Sequence, residues 1–266
     1  FNELTGLYAF EIASIYLEQG RTYQPTTNDK HRWMLKEALD MGNNVYQIFP
    51  NSKAAEKFKV LKRQILQKSL QITAESHLPI NKNSRLLIRY KNYDKLDFKV
   101  YHISRNQLKK LNRTYRKEEQ LVFFNKLKTD KQWQSNLRNK GDYQTHTTEV
   151  VLPALNNGYY VVFATPESRK EDTFAFATLQ VTNMAIVDKS DDKNHIYQVI
   201  DRNNGQPIAN AKVTLNYTVN NVGKHTQNKT TDSKGEIPST SRPKSVNNSA
   251  VLLESQSIFK NCFNQL

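Results

Sequence analysis

The chain has 266 residues, a formal net charge of +14, 37% hydrophobic and 24% charged residues, and one cysteine. One cysteine excludes a disulfide framework within the chain, and no apolar run approaches the roughly 20 residues that a membrane-crossing helix needs. The length suits two or three domains, and a start at Phe1 without a basic-then-apolar leader leads us to expect a piece of a longer exported protein, its signal outside the piece.

Residues 1–72 are expected to be helical. Leu4, Leu7, Tyr8, Ala9, Ile12, Ile15 and Tyr16 recur at three- and four-residue steps, the period of a helix with one buried face, and Gly20 offers a stop. After a loop holding Pro25, Asn28 or Asp29 is a candidate N-cap for a second helix carrying Met34, Leu35, Ala38, Leu39, Val45, Tyr46 and Phe49. Pro50 ends it. Asn51 or Ser52 then caps a third helix, with Ala55, Phe58, Leu61, Ile65 and Leu66 on one face.

From Ile72 the period becomes two. Leu96, Phe98 and Val100 share one face of a strand, with Asp97, Lys99 and Tyr101 on a wet one, as in an antiparallel sandwich. Ser104 and Gln107 have the spacing of a capping box, and Leu108, Leu111, Tyr115 and Val122 continue a helical pattern, so 105–128 reads as a helical insertion. Residues 105–140 hold 11 Lys and Arg against three acids (Glu118, Glu119, Asp130), more than half of the chain's excess charge. A solvated helix face and a phosphate-binding patch for nucleic acid both fit that composition. Strands resume around Trp133 and at 147–155, and Asn156-Asn157-Gly158 signals a hairpin into "YYVVFA". Short strands divided by polar turns argue for a β-sandwich over 73–183.

A further sandwich is expected over 184–266. Asn203, Asn204 and Gly205 form a turn, Pro207 stiffens its exit, and Val213, Leu215, Tyr217 and Val219 alternate with polar residues on the returning strand. Asp232 and Gly235 suit a tight reversal, whereas 237–266 gives no placeable strand.

"YAFEIASIYLEQG … KEALDMGNNVYQIFPNS" loosely resembles a tetratricopeptide-type repeat at Ala13, Tyr16, Ala38 and Pro50; a helical hairpin docked on its neighbour fits equally. "VIDRNNGQPIANAKVTL" followed by "TTDSKGEI" resembles the V-x-D-x-x-x-G-x-P-[IL]-x-x-A-x-V … T-D-x-x-G pattern of macroglobulin-type, Ig-like domains in bacterial alpha-2-macroglobulins. "LPALNNGYYVVFA" and "LLIRYKNYDKLDFKVYHI" are similar to segments of a neighbouring domain in that family, and the resemblance covers about 72–240. It implies a non-catalytic scaffold fragment of an exported, periplasmic or envelope-associated proteinase-trapping inhibitor. Its partners would be proteinases and neighbouring domains of the same chain, with membrane contact only through a lipid anchor outside this chain. The terminal Cys262 and Gln265 have the family's thioester spacing, but Asn264 stands where the motif has Glu and that motif belongs to a domain downstream; we read the match as coincidence.

No residue is assigned a catalytic, cofactor-binding or metal role, and no cofactor is expected. His31, His77, His102, His146, His195 and His225 form no H-x-x-x-H pair, and the acid pairs Asp191–Asp192 and Glu118–Glu119 sit in polar runs. Trp33 and Trp133 read as packing residues. Alternatives of a different class are a cell-surface adhesin or carbohydrate-associated binding module, and nucleic-acid binding through 105–140.

Overall fold

A computed structural model describes residues 3–166, 173–189, 196–219, 223–237 and 246–252. Asp191, Asp192, His195, Cys262, Asn264 and Gln265 lie outside the described residues. The order is helices, then strands with a helical insertion: a helix-then-β multidomain chain. Two compact units emerge, one of 1–77 with 82–180, the other of 78–81 with 181–266.

In the first unit α1 (Glu3–Arg21), α2 (Met34–Ile48) and α3 (Lys53–Leu66) surround one apolar cluster that includes Ala13, Leu35, Leu39, Phe58 and Ile65. The heptad-spaced Gly6, Ala13 and Gly20 are the buried residues of α1, and a Cβ at Gly20 would fall 2.7 Å from a Leu35 methyl. That corrects two expectations. Small residues let the helices approach closely, so Leu4, Tyr8, Ile12 and Ile15 are turned outward and exposed, while Leu7, Ala9 and Tyr16 pack inward. Gly20 is a contact point inside α1 and not its stop.

Neither Asn28 nor Asp29 caps α2. The helix starts behind Trp33 without a side-chain cap, and Asn28 Nδ2 instead donates to Thr22 O at 3.1 Å, closing the preceding loop. Pro50 does end α2, since Phe49 leaves helical geometry (φ −130°, ψ 62°), and Ser52 Oγ caps α3 by accepting from Ala55 N at 3.1 Å.

Two sheets follow. One has order β1 (Ser69–Ala74), β3 (Ser84–Lys91), β6 (Thr145–Leu152); β2 (His77–Leu78), β8 (Ala175–Val181), β7 (Gly158–Pro166), β4 (Lys95–Ile103), β5 (Thr129–Asn136) form the other. β3 alternates with one wet face: Leu86, Ile88 and Tyr90 are buried, and Leu87 is 46% exposed. β6 and β7 lie in different sheets, so 153–157 crosses from one sheet to the other and is not the hairpin that Asn-Asn-Gly signalled. Leu155, within it, is buried, so the connection itself contributes to the core.

β4 buries Leu96, Phe98 and Val100 on one face and, at its C-terminal end, Tyr101 and Ile103 on the other. α4 (Arg105–Leu111) and α5 (Lys117–Asn125) return over the face expected to be wet, and Tyr101 and Ile103 join Leu111, Phe124, Val161 and Phe163 in a second cluster. Tyr101 and Phe124 stack with centroids 6.0 Å apart and planes at 18°. The capping box starts α4 as the spacing implied, with Gln107 N donating to Ser104 Oγ (3.2 Å) and Ser104 N to Gln107 Oε1 (2.8 Å).

In the second unit β9 (Met184–Asp188) pairs with β10 (Tyr197–Asp201), and β11 (Lys212–Val219) lies between β12 (Gly223–Thr230) and β13 (Val246–Leu252), all antiparallel. Val199, Ala211, Val213, Leu215 and Ile237 form its core. β13 lies in the stretch that periodicity left unplaced.

The turn after β10 is built on Asp201. Its Oδ1 accepts from Asn203 N (2.7 Å) and its carbonyl from Gly205 N (2.8 Å), with Gly205 at φ 74°. The chain then doubles back, Ile208 N donating to Val199 O (2.9 Å), before crossing to β11 in the other sheet. Thr231, 3% exposed, clamps this crossing: its Oγ1 donates to Ile208 O (2.7 Å) and accepts from Ala211 N (2.8 Å). Asp232 then organises the reversal, accepting Lys234 N and Glu236 N at 2.9 Å each, and Gly235 O accepts from Val199 N at 2.8 Å.

The two turn glycines differ in a testable way. Both have positive φ, 74° at Gly205 and 71° at Gly235, but a Cβ at Gly205 meets nothing within 4 Å, whereas at Gly235 it would lie 2.6 Å from Val199 O. Gly205→Ala is expected to cost about 1 kcal/mol, the left-handed penalty alone. Gly235→Ala is expected to cost about 3 kcal/mol, because strain and a backbone clash add. Amide exchange at Val199, Ile208 and Ile237 measures both.

Candidate functional site

The most strongly organised polar cluster lies in the first unit, where the loop between β5 and β6 meets the helices. Gly141 (φ 68°) and Tyr143 (φ 56°) bracket Asp142 in left-handed conformations, which turns the carboxylate inward and leaves it 1% exposed. Arg32 Nε donates to Asp142 Oδ2 at 2.9 Å, His146 Nε2 lies 2.8 Å from Oδ1, and Gln144 N donates to Oδ1 at 3.2 Å. Gln144 Nε2 donates to Gly20 O (3.1 Å) and Arg32 O (3.0 Å), bonding the entry to β6 to α1 and to the turn before α2. Arg32 also lies over the Trp33 ring, 5.1 Å from its centroid.

A second tie is made at the C-terminal end of α3, where Arg21 at the end of α1 also reaches Gln64. Asn92, at φ 58° between β3 and β4, donates from Nδ2 to Ile65 O (3.0 Å) and Gln67 O (3.1 Å), satisfying carbonyls that the end of α3 leaves open. Tyr90 Oη donates to Arg138 O at 3.0 Å, and its ring faces that of His146 at 6.0 Å.

Burial pushes the Asp142 carboxyl up, but the hydrogen bonds from His146, Arg32 and Gln144 outweigh it and hold the group below its ordinary value. The Arg32 guanidinium is raised, first by its hydrogen bond to Asp142. Chemically the cluster is a satisfied ion network, with no opening at Asp142 for a substrate.

The other candidate places are surfaces. A cleft of about 580 Å³ opens beside α5, with Asp97, Lys99, Gln132 and Gln134 at its polar side and the buried rings of Phe124 and Phe163 behind. Gln134 Nε2 donates to Asp97 Oδ1 at 2.6 Å, so the carboxylate is engaged by its cross-strand neighbour. Trp133 stacks on its cross-strand partner Phe98 (5.1 Å, 8°), a packing role, whereas Trp33 is 44% exposed. Of the described histidines, His31 contacts Thr22 Oγ1, His102 packs on Tyr160, His146 joins Asp142, and His77 and His225 sit on β2 and β12. No three His, Cys, Asp or Glu gather at metal-binding distance among the described residues. Glu118 and Glu119 lie in the first turn of α5, where acids favour the helix dipole.

Periodicity could not find Asp142. "NKGDYQT" reads as a polar turn, and its partner Arg32 lies 110 residues earlier. Asp142→Ala should leave Arg32 and His146 without their carboxylate and cost about 3 kcal/mol of stability. The linkage has a definite sign: a carboxyl depressed on folding stabilises above its unfolded value of 3.8, and that share is lost as pH falls through the still lower folded value. The stability gap between wild type and Asp142→Asn is therefore expected to shrink below about pH 4. The two tryptophans both lie in the first unit, so denaturant titrations followed by tryptophan fluorescence measure this.

No protein-family model and no curated protein matches the chain. Among solved structures it is similar to native alpha-2-macroglobulin from Escherichia coli spanning domains MG0-NIE-MG1, at 12% identity and TM-score 0.48, over 70% of this chain and 64% of that one. It is also similar to the NIE-MG1 fragment of the same protein (12%, TM-score 0.47, 72% and 95%) and to a CARDB domain from Pyrococcus furiosus (15%, TM-score 0.25, 43% and 92%). The chain thus spans less than two thirds of the MG0-NIE-MG1 fragment, and its structural likeness is to bacterial alpha-2-macroglobulin domains.

Proposed function

We propose that this chain is a non-catalytic scaffold segment of a macroglobulin-type proteinase-trapping inhibitor, built of Ig-like sandwiches and working outside the cytoplasm. The observation that carries the reading is the second unit's turn system. Gly205, Pro207, Ile208, Ala211, Val213, Thr231, Asp232 and Gly235, the positions that resemble the macroglobulin pattern, are the residues that cross between its sheets and lock the crossing. They act together as one device, which supports reading them as a family framework and not as scattered turn residues. The first unit supports a mechanical role in another way. Asp142, Gln144 and Asn92 bond helices to sheet at separate points, so that unit can move as one body when a trap rearranges.

The test uses the full-length protein that carries this segment, incubated with trypsin or elastase. Digestion of casein should fall while hydrolysis of a small chromogenic peptide persists, because a caged proteinase stays accessible to small molecules only. Equal digestion of casein with and without the protein would remove the proposal.

A further inference from the structure

The basic insertion has a feature that a solvated helix face does not explain. Its inner side is anchored by Leu111 and Phe124, and its outer side carries exposed Lys109, Lys110, Arg113, Arg116 and Lys117. Among these cations Tyr115 is 85% exposed, and Val122 on the next helix is 54% exposed. The turn that presents Tyr115 is pinned from both sides: Thr114 Oγ1 donates to Lys110 O (2.9 Å), and Gln120 Nε2 donates to Thr114 O (2.7 Å). The tyrosine is thus held outward by local structure. Of the five cations, Arg116 has an ion pair in the structure, 3.7 Å from Glu119 with both side chains exposed.

We infer that the tip between α4 and α5 docks on a bilayer surface rich in anionic phospholipid, with Tyr115 in the headgroup layer and the flanking Lys and Arg on its phosphates. The chemistry matches at three points. Tyrosine is favoured at headgroup depth, where its ring is in apolar surroundings and its hydroxyl in water. Lys and Arg reach phosphates while their methylene stems cover apolar surface. Val122 gains from an interfacial setting and has nothing to offer a phosphodiester. Single-stranded nucleic acid instead requires successive aromatic platforms along a groove; here one aromatic side chain stands on a protruding turn. No helix among the described residues is long and apolar enough to cross a membrane. This inference is independent of the proteinase-trapping reading.

The test is co-sedimentation of the 266-residue chain with vesicles at about 0.15 M salt, where long-range attraction between exposed charges is largely screened. Vesicles of equal parts phosphatidylglycerol and phosphatidylcholine should bind it, and phosphatidylcholine alone should not. Joint replacement Lys109→Gln, Lys110→Gln, Arg113→Gln and Arg116→Gln should weaken binding at least about a hundredfold, since each cation near an anionic surface contributes about fivefold. Tyr115→Ser should weaken it several-fold without altering charge. All five positions are exposed, so the variants should keep the wild-type unfolding transition, which shows that any loss is not misfolding. The inference fails if phosphatidylglycerol vesicles do not bind the wild type, if the four replacements leave binding unchanged, or if single-stranded DNA at the same salt binds it more tightly than the vesicles do.

Discussion

Asp142 constrains the first unit more than any other residue. A carboxylate removed from water costs several kcal/mol unless its oxygens are occupied. Here they are occupied by an arginine from the turn before α2, a histidine from β6 and a backbone amide of its own loop. Any arrangement that separates helices from sheet strands that charge. An ion pair of this kind adds little net stability over a well-packed apolar contact, but it penalises misdocking heavily. Gln144 and Asn92 extend the same logic with hydrogen bonds to the ends of α1 and α3, and Tyr143, next to Asp142, packs its ring on the helical cluster. The helices are thereby a structural part of the unit that contains the sheets.

Once that docking is set, the layering of the first unit follows from β4 and β7. β7 is buried along most of its length, and β4 alternates between two cores. Leu96, Phe98 and Val100 point to one side; Tyr101 and Ile103 serve the cluster under α4 and α5. Covering the second face with short helices moves the exposed surface outward, from the sheet to the insertion. The insertion is cationic, so the unit presents its charge at a place set by packing several layers deep.

The second unit solves a different problem with less material. Its core is small, and its chain must cross between two sheets without leaving backbone groups unpaired. Thr231 serves both sides of that crossing with one hydroxyl, and Gly235 allows the approach of Val199 because it has no Cβ. Each of these positions does two jobs at once, so replacing either residue disturbs both sides of the crossing. β12, polar on both faces, is held by pairing with β11 and shows no hydrophobic period.

Sequence alone determined what depends on neighbours close in the chain. The three helices, the capping box at Ser104, the Ser52 cap, the stop at Pro50 and the turn glycines at Gly205 and Gly235 all follow from contacts spanning a few residues. The turns at 201–205 and 232–236 were also legible, because their residues are spaced by local geometry. Tertiary structure decided everything that needed a distant partner. Periodicity could show that α1 has an apolar stripe but not that Gly6, Ala13 and Gly20 would take the inside. It could show that β4 alternates but not that an insertion would cover Tyr101 and Ile103 on its second face. Asn156-Asn157-Gly158 marked a reversal, but which sheet receives the next strand depends on distant partners: β6 pairs with β3, and β7 with β4 and β8. Asp142 reads as one more polar loop residue until folding brings Arg32 to it, because a buried charge is defined by its surroundings and not by its neighbours in the chain.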